Sequence, residues 1–229
     1  MIEKLMLFGL TRQEATIYVC LFQNGSLNGY EVAKLTGISR SNVYIALAGL
    51  VEKGAAYLIE GASAKYVAVD VAEFCENKIR LIAEARDYLI ENLEPGKEVT
   101  DGYITIEGYA NIMDKVYNML KLAEKRVYIS VSAAYISQIE TVVENALSDK
   151  KIKVVVITDK DTSFSNAKVY LSDKKEKQLR LIVDSKYVLT GDITESDTDT
   201  CLYSGQKNFV NVFKEALRNE IKLIELKKE

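Results

Sequence analysis

The sequence contains no histidine, and this absence removes several kinds of chemistry. Histidine is the commonest general base, the commonest metal ligand and the usual charge switch near neutral pH. Cysteine is also scarce: Cys20, Cys75 and Cys201 lie far apart and form no CxxC pair. We interpret them as reduced thiols that pack like small apolar residues. We therefore expect neither a metal site nor a cofactor.

Long apolar runs are missing as well. No run approaches the roughly 18 residues that a membrane-spanning helix needs. The first residues, MIEKLMLFGLTRQEATIY, lack a long apolar block followed by a small-residue cleavage site. We therefore expect a cytoplasmic protein without a membrane partner. Because 48% of the 229 residues are hydrophobic, the chain can form a substantial core, which excludes a disordered protein.

The net charge of −3 is unevenly distributed along the chain. Residues 1–69 contain six basic and five acidic side chains, a net charge of +1. Residues 70–96 contain three basic and seven acidic side chains, a net charge of −4. A nucleic-acid-binding domain usually carries a strong positive charge, and residues 1–69 meet that expectation only weakly.

The first 70 residues predict three helices followed by a β-hairpin. Thr11 and Glu14 have the spacing of a capping box, which begins a helix that ends at about Gln23. A short helix over about 29–35 and a third helix over 39–53 follow. The segments AAYLIE and KYVAV, joined by GASA, have the composition of paired strands.

This order of elements is typical of a winged helix-turn-helix. Ala33 is small enough for two helices to approach, Gly37 allows a tight turn, and Val43 faces the core. On the helix 39–53 we expect a core stripe formed by Val43, Leu47, Leu50 and Val51. Ser39 is expected to cap this helix by accepting a hydrogen bond from the backbone N–H of Asn42.

Candidate DNA-contacting residues follow from this arrangement, because a recognition helix contacts bases with its first turns. Arg40 can bind phosphate or guanine, and Asn42 can pair with adenine. The residues of the first turn and a half that lie off the core stripe are Arg40, Ser41, Asn42, Tyr44 and Ile45. In the hairpin, Ser63 and Lys65 flank the tip and are expected to contact phosphate or the minor groove. The alternatives are an ordinary polar helix start and a plain hairpin turn.

Residues 70–94 contain no glycine or proline and predict one long helix. Its apolar side chains recur at spacings of four, three, seven and four, in the order Cys75, Ile79, Ile82, Leu89 and Leu93. A narrow stripe with charged flanks is typical of a helix that pairs with another helix, so residues 70–96 are predicted to form a homodimer. The alternative is that the stripe packs on its own chain, and Arg86 within it weakens the coiled-coil interpretation.

Strands and helices alternate over residues 97–229, ending in a helix over Lys207–Leu226. This alternation predicts an α/β domain with a largely parallel sheet, and an α+β class for the whole chain. Ligands of such sheets bind at the carboxyl ends of strands, so we expect a small-molecule effector there. The polar residues near those ends are Ser130, Ser132, Thr158, Asp159 and Ser204. The acidic segments 159–162 and 195–200 are interpreted as solvated loops.

Several segments resemble the TrmB-type family of transcriptional regulators. They are LTRQEATIYVCL, GYEVAKLTGISRSNVYIALAGLVEKGAAYLIEG and KYVAV. The later segments ITIEGYANIMDKVYNML, RLIVDSKYVLTGD and CLYS resemble the second domain of that family, which is similar to the phospholipase D fold. The resemblance implies a dimeric regulator with a winged helix for double-stranded DNA, a helical dimerisation linker and an effector or assembly domain.

The phospholipase D resemblance raises the question of catalysis. That chemistry needs a histidine, a lysine two residues later and an aspartate five residues beyond the lysine. If Asp184 is the aspartate, Lys177 and Leu179 occupy the other positions, so we expect an inactive relative in which Asp184 is a turn residue. Two alternatives to a DNA-binding regulator remain: a protein-binding winged-helix adaptor, and a phosphodiesterase, which the lack of histidine opposes.

Overall fold

A computed structural model describes residues 1–61, 63–94, 96, 102–147, 152–160, 167–172 and 177–227. The chain forms two compact units, residues 1–96 and residues 97–229. Three parts of the predictions lie outside the described residues: part of the linker (residues 95 and 97–101), residues 161 and 162, and residue 62 of the hairpin loop. No helix in the described ranges combines the length and apolar composition needed to cross a membrane.

The first unit is built from helices that enclose one apolar core. In chain order these helices are α1 (Ile2–Met6), α2 (Arg12–Asn24), α3 (Gly29–Thr36), α4 (Arg40–Glu52) and α5 (Val71–Asn92). The predicted capping box begins α2: the Thr11 side chain accepts from the Glu14 N–H, and Glu14 accepts from the Thr11 N–H at 2.7 Å. The core contains the fully buried side chains Ile17, Leu21, Val43, Leu47 and Leu50.

A three-stranded sheet completes the first unit. Its strands are β1 (Leu27–Asn28), β2 (Ala56–Ile59) and β3 (Lys65–Ala68), in the order β1-β3-β2. Strands β2 and β3 pair antiparallel, with Ile59 opposite Lys65. The predicted hairpin is therefore present, and β1 adds a short third strand on the far side of β3.

Helix α5, all of whose residues the structure describes, is capped by Asp70, whose carboxylate accepts from the Ala72 N–H at 2.8 Å. Phe74 is its only fully buried side chain and joins the core of the first unit. Beyond Cys75, which is half-buried, the helix extends with most of its side chains exposed.

The second unit is a seven-stranded sheet with helices on both faces. Its strands are β4 (Ile104–Glu107), β5 (Arg126–Ser130), β6 (Lys153–Thr158), β7 (Ala167–Leu171), β8 (Gln178–Val183), β9 (Tyr187–Asp192) and β10 (Thr200–Ser204). Helices α6 (Tyr109–Lys121) and α7 (Ala133–Leu147) cover one face, and α8 (Lys207–Leu226) covers the other. The mixed α and β class of the chain is confirmed.

The prediction of a largely parallel sheet is wrong. In the strand order β4-β10-β9-β8-β5-β6-β7, the described pairings β5–β6 and β6–β7 are parallel and the other four are antiparallel. The physical reason is the length of the connections. Only the three residues 184–186 join β8 to β9, which permits a hairpin but not the crossover that parallel neighbours need.

Candidate nucleic-acid interface

The turn between α3 and α4 has the geometry of a helix-turn-helix. Gly37 ends α3 in the left-handed region (φ 71°, ψ 6°), and its N–H donates to the Ala33 carbonyl at 3.0 Å. A side chain with a Cβ rarely adopts this conformation, so glycine is needed at the turn. Val43, six residues further on, is fully buried.

Helix α4 has one buried side and one exposed side. Val43, Leu47 and Leu50 are buried, whereas Val51 is exposed, so the predicted core stripe is one residue shorter than expected. The side chains that are exposed at the start of α4, called here the α4 surface, are Arg40, Ser41, Asn42, Tyr44 and Ile45. They include every predicted contact residue of this helix. Ile45 is 71% exposed, so its apolar side chain is available for contact from outside the chain.

Arg40 is supported by an aromatic residue that the sequence did not single out. Its guanidinium carbon lies 4.6 Å from the ring centre of Tyr30, on α3. Tyr30 is itself 53% exposed, so the contact is a surface cation–π pair. It restricts the orientation of Arg40 while leaving its N–H groups free to bind an acceptor. The α4 surface therefore contains one aromatic side chain, Tyr44, and is supported by a second, Tyr30.

Tyr44 packs over the first residue of α3. A Cβ atom built on Gly29 would lie 2.6 Å from Cε1 of the Tyr44 ring, closer than real atoms come. The absence of a side chain at Gly29 is thus what lets the tyrosine ring lie against α3. Gly29 stands immediately before Tyr30 in the sequence, but only the fold reveals its role.

The predicted side-chain cap of α4 is wrong. Ser39 is the N-cap residue, but its hydroxyl makes no capping hydrogen bond and instead lies 3.3 Å from the Ser41 hydroxyl. The Ser39 carbonyl accepts the first helical hydrogen bond, from the Val43 N–H at 2.9 Å. The start of α4 is therefore held by its backbone, and both serine hydroxyls remain on the surface.

The hairpin formed by β2 and β3 presents Ser63 and Lys65 as exposed side chains near its tip. At its base the hairpin is joined to α5, because the Tyr57 hydroxyl donates to Glu73 Oε1 at 2.9 Å. This bond raises the pKa of Tyr57. It links the wing directly to the first turn of the long helix.

The predicted ligand residues of the second unit divide into two groups. Ser132 Oγ donates to Asp159 at 3.2 Å, and Asp159 accepts the Ala133 N–H at 2.7 Å. That backbone bond is the main cause that lowers the pKa of Asp159. Ser130 and Thr158 are fully buried beside them, at the carboxyl ends of the parallel strands β5 and β6. Asp159 therefore caps the start of α7.

Ser204 does not join this group, contrary to the expectation. Its strand, β10, runs opposite to β5 because three antiparallel steps separate them in the sheet. The end of β10 therefore lies at the other edge of the sheet. There the Ser204 hydroxyl donates to the Gly102 carbonyl at 3.0 Å and accepts from the Gln206 N–H at 3.1 Å.

Asp184 is a turn residue, as predicted. It has a positive φ of 51°, and its carboxylate accepts the N–H groups of Glu124, Lys125 and Arg126 at 2.8 to 2.9 Å. Burial raises the pKa of Asp184, but these backbone bonds outweigh burial and hold it below its usual value. These hydrogen bonds to the backbone therefore stabilise the fold.

The acidic segment 195–200 is also organised by its own backbone. Asp199 is buried and accepts the Thr194 N–H at 2.7 Å and the Ser196 N–H at 3.2 Å. Among the described residues, no group of three or more Cys, Asp or Glu side chains is placed to hold a metal ion.

Of the residues predicted for dimerisation, Cys75 is half-buried against the core of the first unit, whereas the other four are exposed. Three of these four lie on α5, and Leu93 is its C-cap residue. Ile79, Ile82, Leu89 and Leu93 are each more than half exposed, at 59%, 62%, 54% and 73%. Apolar side chains at these spacings lie along one side of a helix. Within the described residues of the first unit, these four side chains do not pack against their own chain, which is what the alternative requires.

Comparison with known proteins finds similarity over the first unit and beyond it. Residues 5–72 match the family described as sugar-specific transcriptional regulator TrmB. YrhO of Bacillus subtilis (strain 168) is 26% identical, over the whole of this chain and 87% of its own length. The HTH-type sugar sensing transcriptional regulator TrmBL1 of Pyrococcus furiosus is 23% identical over 76% of this chain, and the match spans 50% of its own length.

Two solved structures are similar. TrmBL2, an archaeal chromatin protein, shares 21% identity over 97% of both chains, with a TM-score of 0.46. Nuc of Salmonella typhimurium, a phospholipase D family member, shares 12% identity over 53% of this chain and 95% of its own, with a TM-score of 0.42. The predicted resemblance to the TrmB-type regulators is confirmed, because residues 5–72 match that family.

Proposed function

We propose that this protein is a sequence-specific transcriptional regulator that binds double-stranded DNA as a homodimer. The observation that carries the proposal is the α4 surface: a row of exposed polar and apolar side chains on the first turns of the second helix of a helix-turn-helix. Recognition helices contact base edges from this position. The TrmB-type domain and the name of the relative TrmBL1 support the same class of function.

Each residue of the α4 surface has a role that suits its chemistry. Arg40, oriented by Tyr30, binds guanine or a phosphate, and Asn42 pairs with adenine. Ile45 contacts a thymine methyl group, which explains an exposed isoleucine at this point. The Tyr44 hydroxyl and Ser41 contact phosphates. In the wing, Ser63 and Lys65 bind phosphate or the minor groove.

The small net charge of the DNA-binding unit determines its non-specific affinity and its response to salt. Residues 1–69 carry a net charge of only +1, so few phosphates are neutralised. We expect modest non-specific affinity and a shallow dependence of the binding constant on salt. Specific contacts from the α4 surface must then supply most of the discrimination between sequences.

Each predicted segment of the chain has its own role in this proposal. Residues 1–69 bind DNA, residues 70–96 form the dimer through the α5 stripe, and residues 97–229 act as an effector or assembly domain. Two-fold symmetry requires a pseudo-palindromic site with half-sites about 34 Å apart or a multiple of it. An effector in the second unit would change the spacing of the two winged helices. The polar group Ser130, Ser132, Thr158 and Asp159 is one candidate effector site.

The proposal is tested by selecting duplexes from random DNA with the full-length protein. We expect a two-fold symmetric motif. The variant Arg40→Ala/Asn42→Ala should bind that motif at least about thirtyfold more weakly, because each of its two substitutions removes a base contact. The matched control Arg12→Ala/Gln23→Ala also removes an arginine and a carboxamide side chain, from exposed positions of α2, and should bind as the wild type does.

Three results would contradict the proposal or a part of it. Selection of no motif at low salt would favour the protein-binding adaptor, for which the near-neutral charge of residues 1–69 is the supporting observation. Equal losses in the two variants would show that α4 makes no special contribution. An asymmetric motif would contradict the homodimer while leaving DNA binding in place.

A further inference from the structure

The second unit contains a groove of about 400 Å³ between α8 and one face of the sheet. Tyr128 of β5, Val155 of β6 and Tyr170 of β7 line its sheet side. Leu217 and Ile221 line its α8 side. The interior of the groove is therefore aromatic and aliphatic. Its volume lies within the range of small-molecule binding sites.

Cationic side chains are concentrated around this groove. Among the described residues that line it, six are basic and one is acidic, a net charge of +5 on a chain whose total is −3. The basic residues are Arg126, Lys153, Lys168, Lys214, Arg218 and Lys222, and the acidic one is Glu225. Like charges at such density repel each other, and a bound anion removes that repulsion.

The described residues neutralise little of this charge. Lys168 Nζ lies 3.5 Å from Glu225 Oε1, and the same carboxylate oxygen accepts from the Tyr170 hydroxyl at 2.9 Å. The other five cations form no ion pair with any described residue. The groove therefore keeps a large uncompensated positive charge beside an apolar interior.

The fold brings these cations together from distant parts of the sequence. Arg126 and Lys153 are the first residues of β5 and β6 and lie opposite each other in the parallel pairing. Lys214, Arg218 and Lys222 are spaced by four residues, which places them along one side of α8. Two strand starts and one helix face thus converge on the same groove. It lies at the amino ends of β5 and β6, the end opposite to Ser130 and Thr158.

We propose that this groove binds a phosphorylated small molecule that carries several negative charges and an aromatic or apolar group. Arginine and lysine bind phosphate oxygens through charge-assisted hydrogen bonds. The tyrosine rings and the aliphatic side chains contact the uncharged part of the ligand. The site is independent of the DNA-binding proposal, because it lies in the second unit and its occupancy is measured without DNA.

Isothermal titration of the full-length protein with ATP, in a buffer of fixed low ionic strength, tests the proposal. ATP serves as the probe because it joins phosphates to an aromatic ring. We expect one site per chain, no binding of adenosine and only weak binding of sulfate. The variant Arg218→Glu/Lys222→Glu should raise the Kd for ATP at least about tenfold, because it replaces two attractive contacts by repulsive ones.

The matched control is Lys207→Glu/Lys160→Glu, which makes the same change of net charge at exposed positions outside the groove. It should change the Kd by less than about twofold, since screening weakens distant charges. Circular dichroism of both variants confirms that each is folded. Equal losses of ATP affinity in the two variants would mean that only net charge matters and would overturn the proposal.

Absence of ATP binding by the wild type would also overturn it. The two variants are therefore compared for binding to duplex DNA as well. If ATP does not bind and only the groove variant loses affinity for the duplex, the groove contacts DNA phosphates and not a small molecule. That result differs from failure of the DNA-binding proposal, which is judged by the Arg40→Ala/Asn42→Ala variant.

Discussion

Tyr30 and Arg40 show how one residue on a supporting helix can define the geometry of another on the contact helix. The guanidinium lies 4.6 Å from the tyrosine ring, and both side chains are exposed. A free arginine on a surface samples many rotamers, and restricting it is costly when it binds. The ring reduces that cost in advance, because it favours one orientation in the free protein.

We therefore predict that Tyr30→Leu weakens binding to the selected DNA motif by about two- to fivefold, the equivalent of an exposed cation–π pair. Tyr30→Phe keeps the ring and should bind nearly as the wild type does. Fluorescence anisotropy with a labelled duplex measures both. An equal loss in Tyr30→Phe would instead assign the effect to the tyrosine hydroxyl and reject the stacking role.

For single residues, the sequence predicts which side chains are exposed better than it predicts which side chains contact each other. The exposed side chains Arg40, Asn42 and Ile45 follow from the helical period, which fixes the side opposite Val43 and Leu47. The contacts of Tyr30 and Gly29 depend on the angle between α3 and α4, which no local pattern encodes. The spacing of Lys214, Arg218 and Lys222 is visible in the sequence, but their meeting with Arg126 and Lys153 requires the sheet.

At the scale of elements, a partly buried ion pair joins α2 to Lys53, the C-cap residue of α4. Lys53 Nζ lies 2.6 Å from Glu14 Oε2, and the Glu14 side chain is 8% exposed. Burial raises the pKa of Glu14, but the hydrogen bonds from Lys53 and Thr11 outweigh burial and leave the pKa below its usual value. Gly49 of α4 has no side chain and so leaves room for this carboxylate.

We predict that Lys53→Met destabilises the first unit by about 1–3 kcal/mol at neutral pH, because it leaves a buried carboxylate without its cation. Since the pKa of folded Glu14 is lowered, its contribution is present above the usual value of about 4.3 and is lost as the pH falls through the lower folded pKa. The difference between wild type and variant should therefore shrink in acid.

Urea unfolding at several pH values measures that difference, and hydrogen exchange of amides in α2 and α4 assigns the transition to the first unit. Lys34→Met, at an exposed position of α3, is the control and should change the stability little. A destabilisation by Lys53→Met that stays constant down to acid pH would show that lost packing, and not the ion pair, is responsible.

The elements themselves differ in how well the sequence predicts them. Helix α8 has the bounds expected for it, because twenty residues with a regular apolar period leave little ambiguity. The direction of the strands differs from the prediction because no helix intervenes between β8, β9 and β10, so successive strands there pair antiparallel. Gly191 of β9 illustrates a further limit: its missing Cβ makes room for Thr200 and Cys201 of β10, which only the strand register reveals.

At the scale of the whole molecule, the α5 stripe is the feature that the first unit leaves without a partner. Three large apolar side chains on one side of this helix, and Leu93 at its C-cap, are more than half exposed. Their exposure costs free energy in water, roughly 1.5–3 kcal/mol for each side chain that could be buried. Pairing α5 with its symmetry mate would bury both stripes and place two α4 helices in one particle, as a two-fold symmetric DNA site requires.

We accordingly predict that Ile82→Glu converts the dimer into a monomer, because the dimer would have to bury a carboxylate in its stripe. Asn77→Glu adds the same charge at an exposed position of α5 outside the stripe and should remain dimeric. Analytical ultracentrifugation of the full-length proteins distinguishes the two states.

The monomer should also lose most of its affinity for a duplex with two half-sites, because the two winged helices are no longer linked. It should keep weak binding to a single half-site. A wild-type protein that sediments as a monomer, or an Ile82→Glu variant that stays dimeric, would remove α5 as the dimer interface.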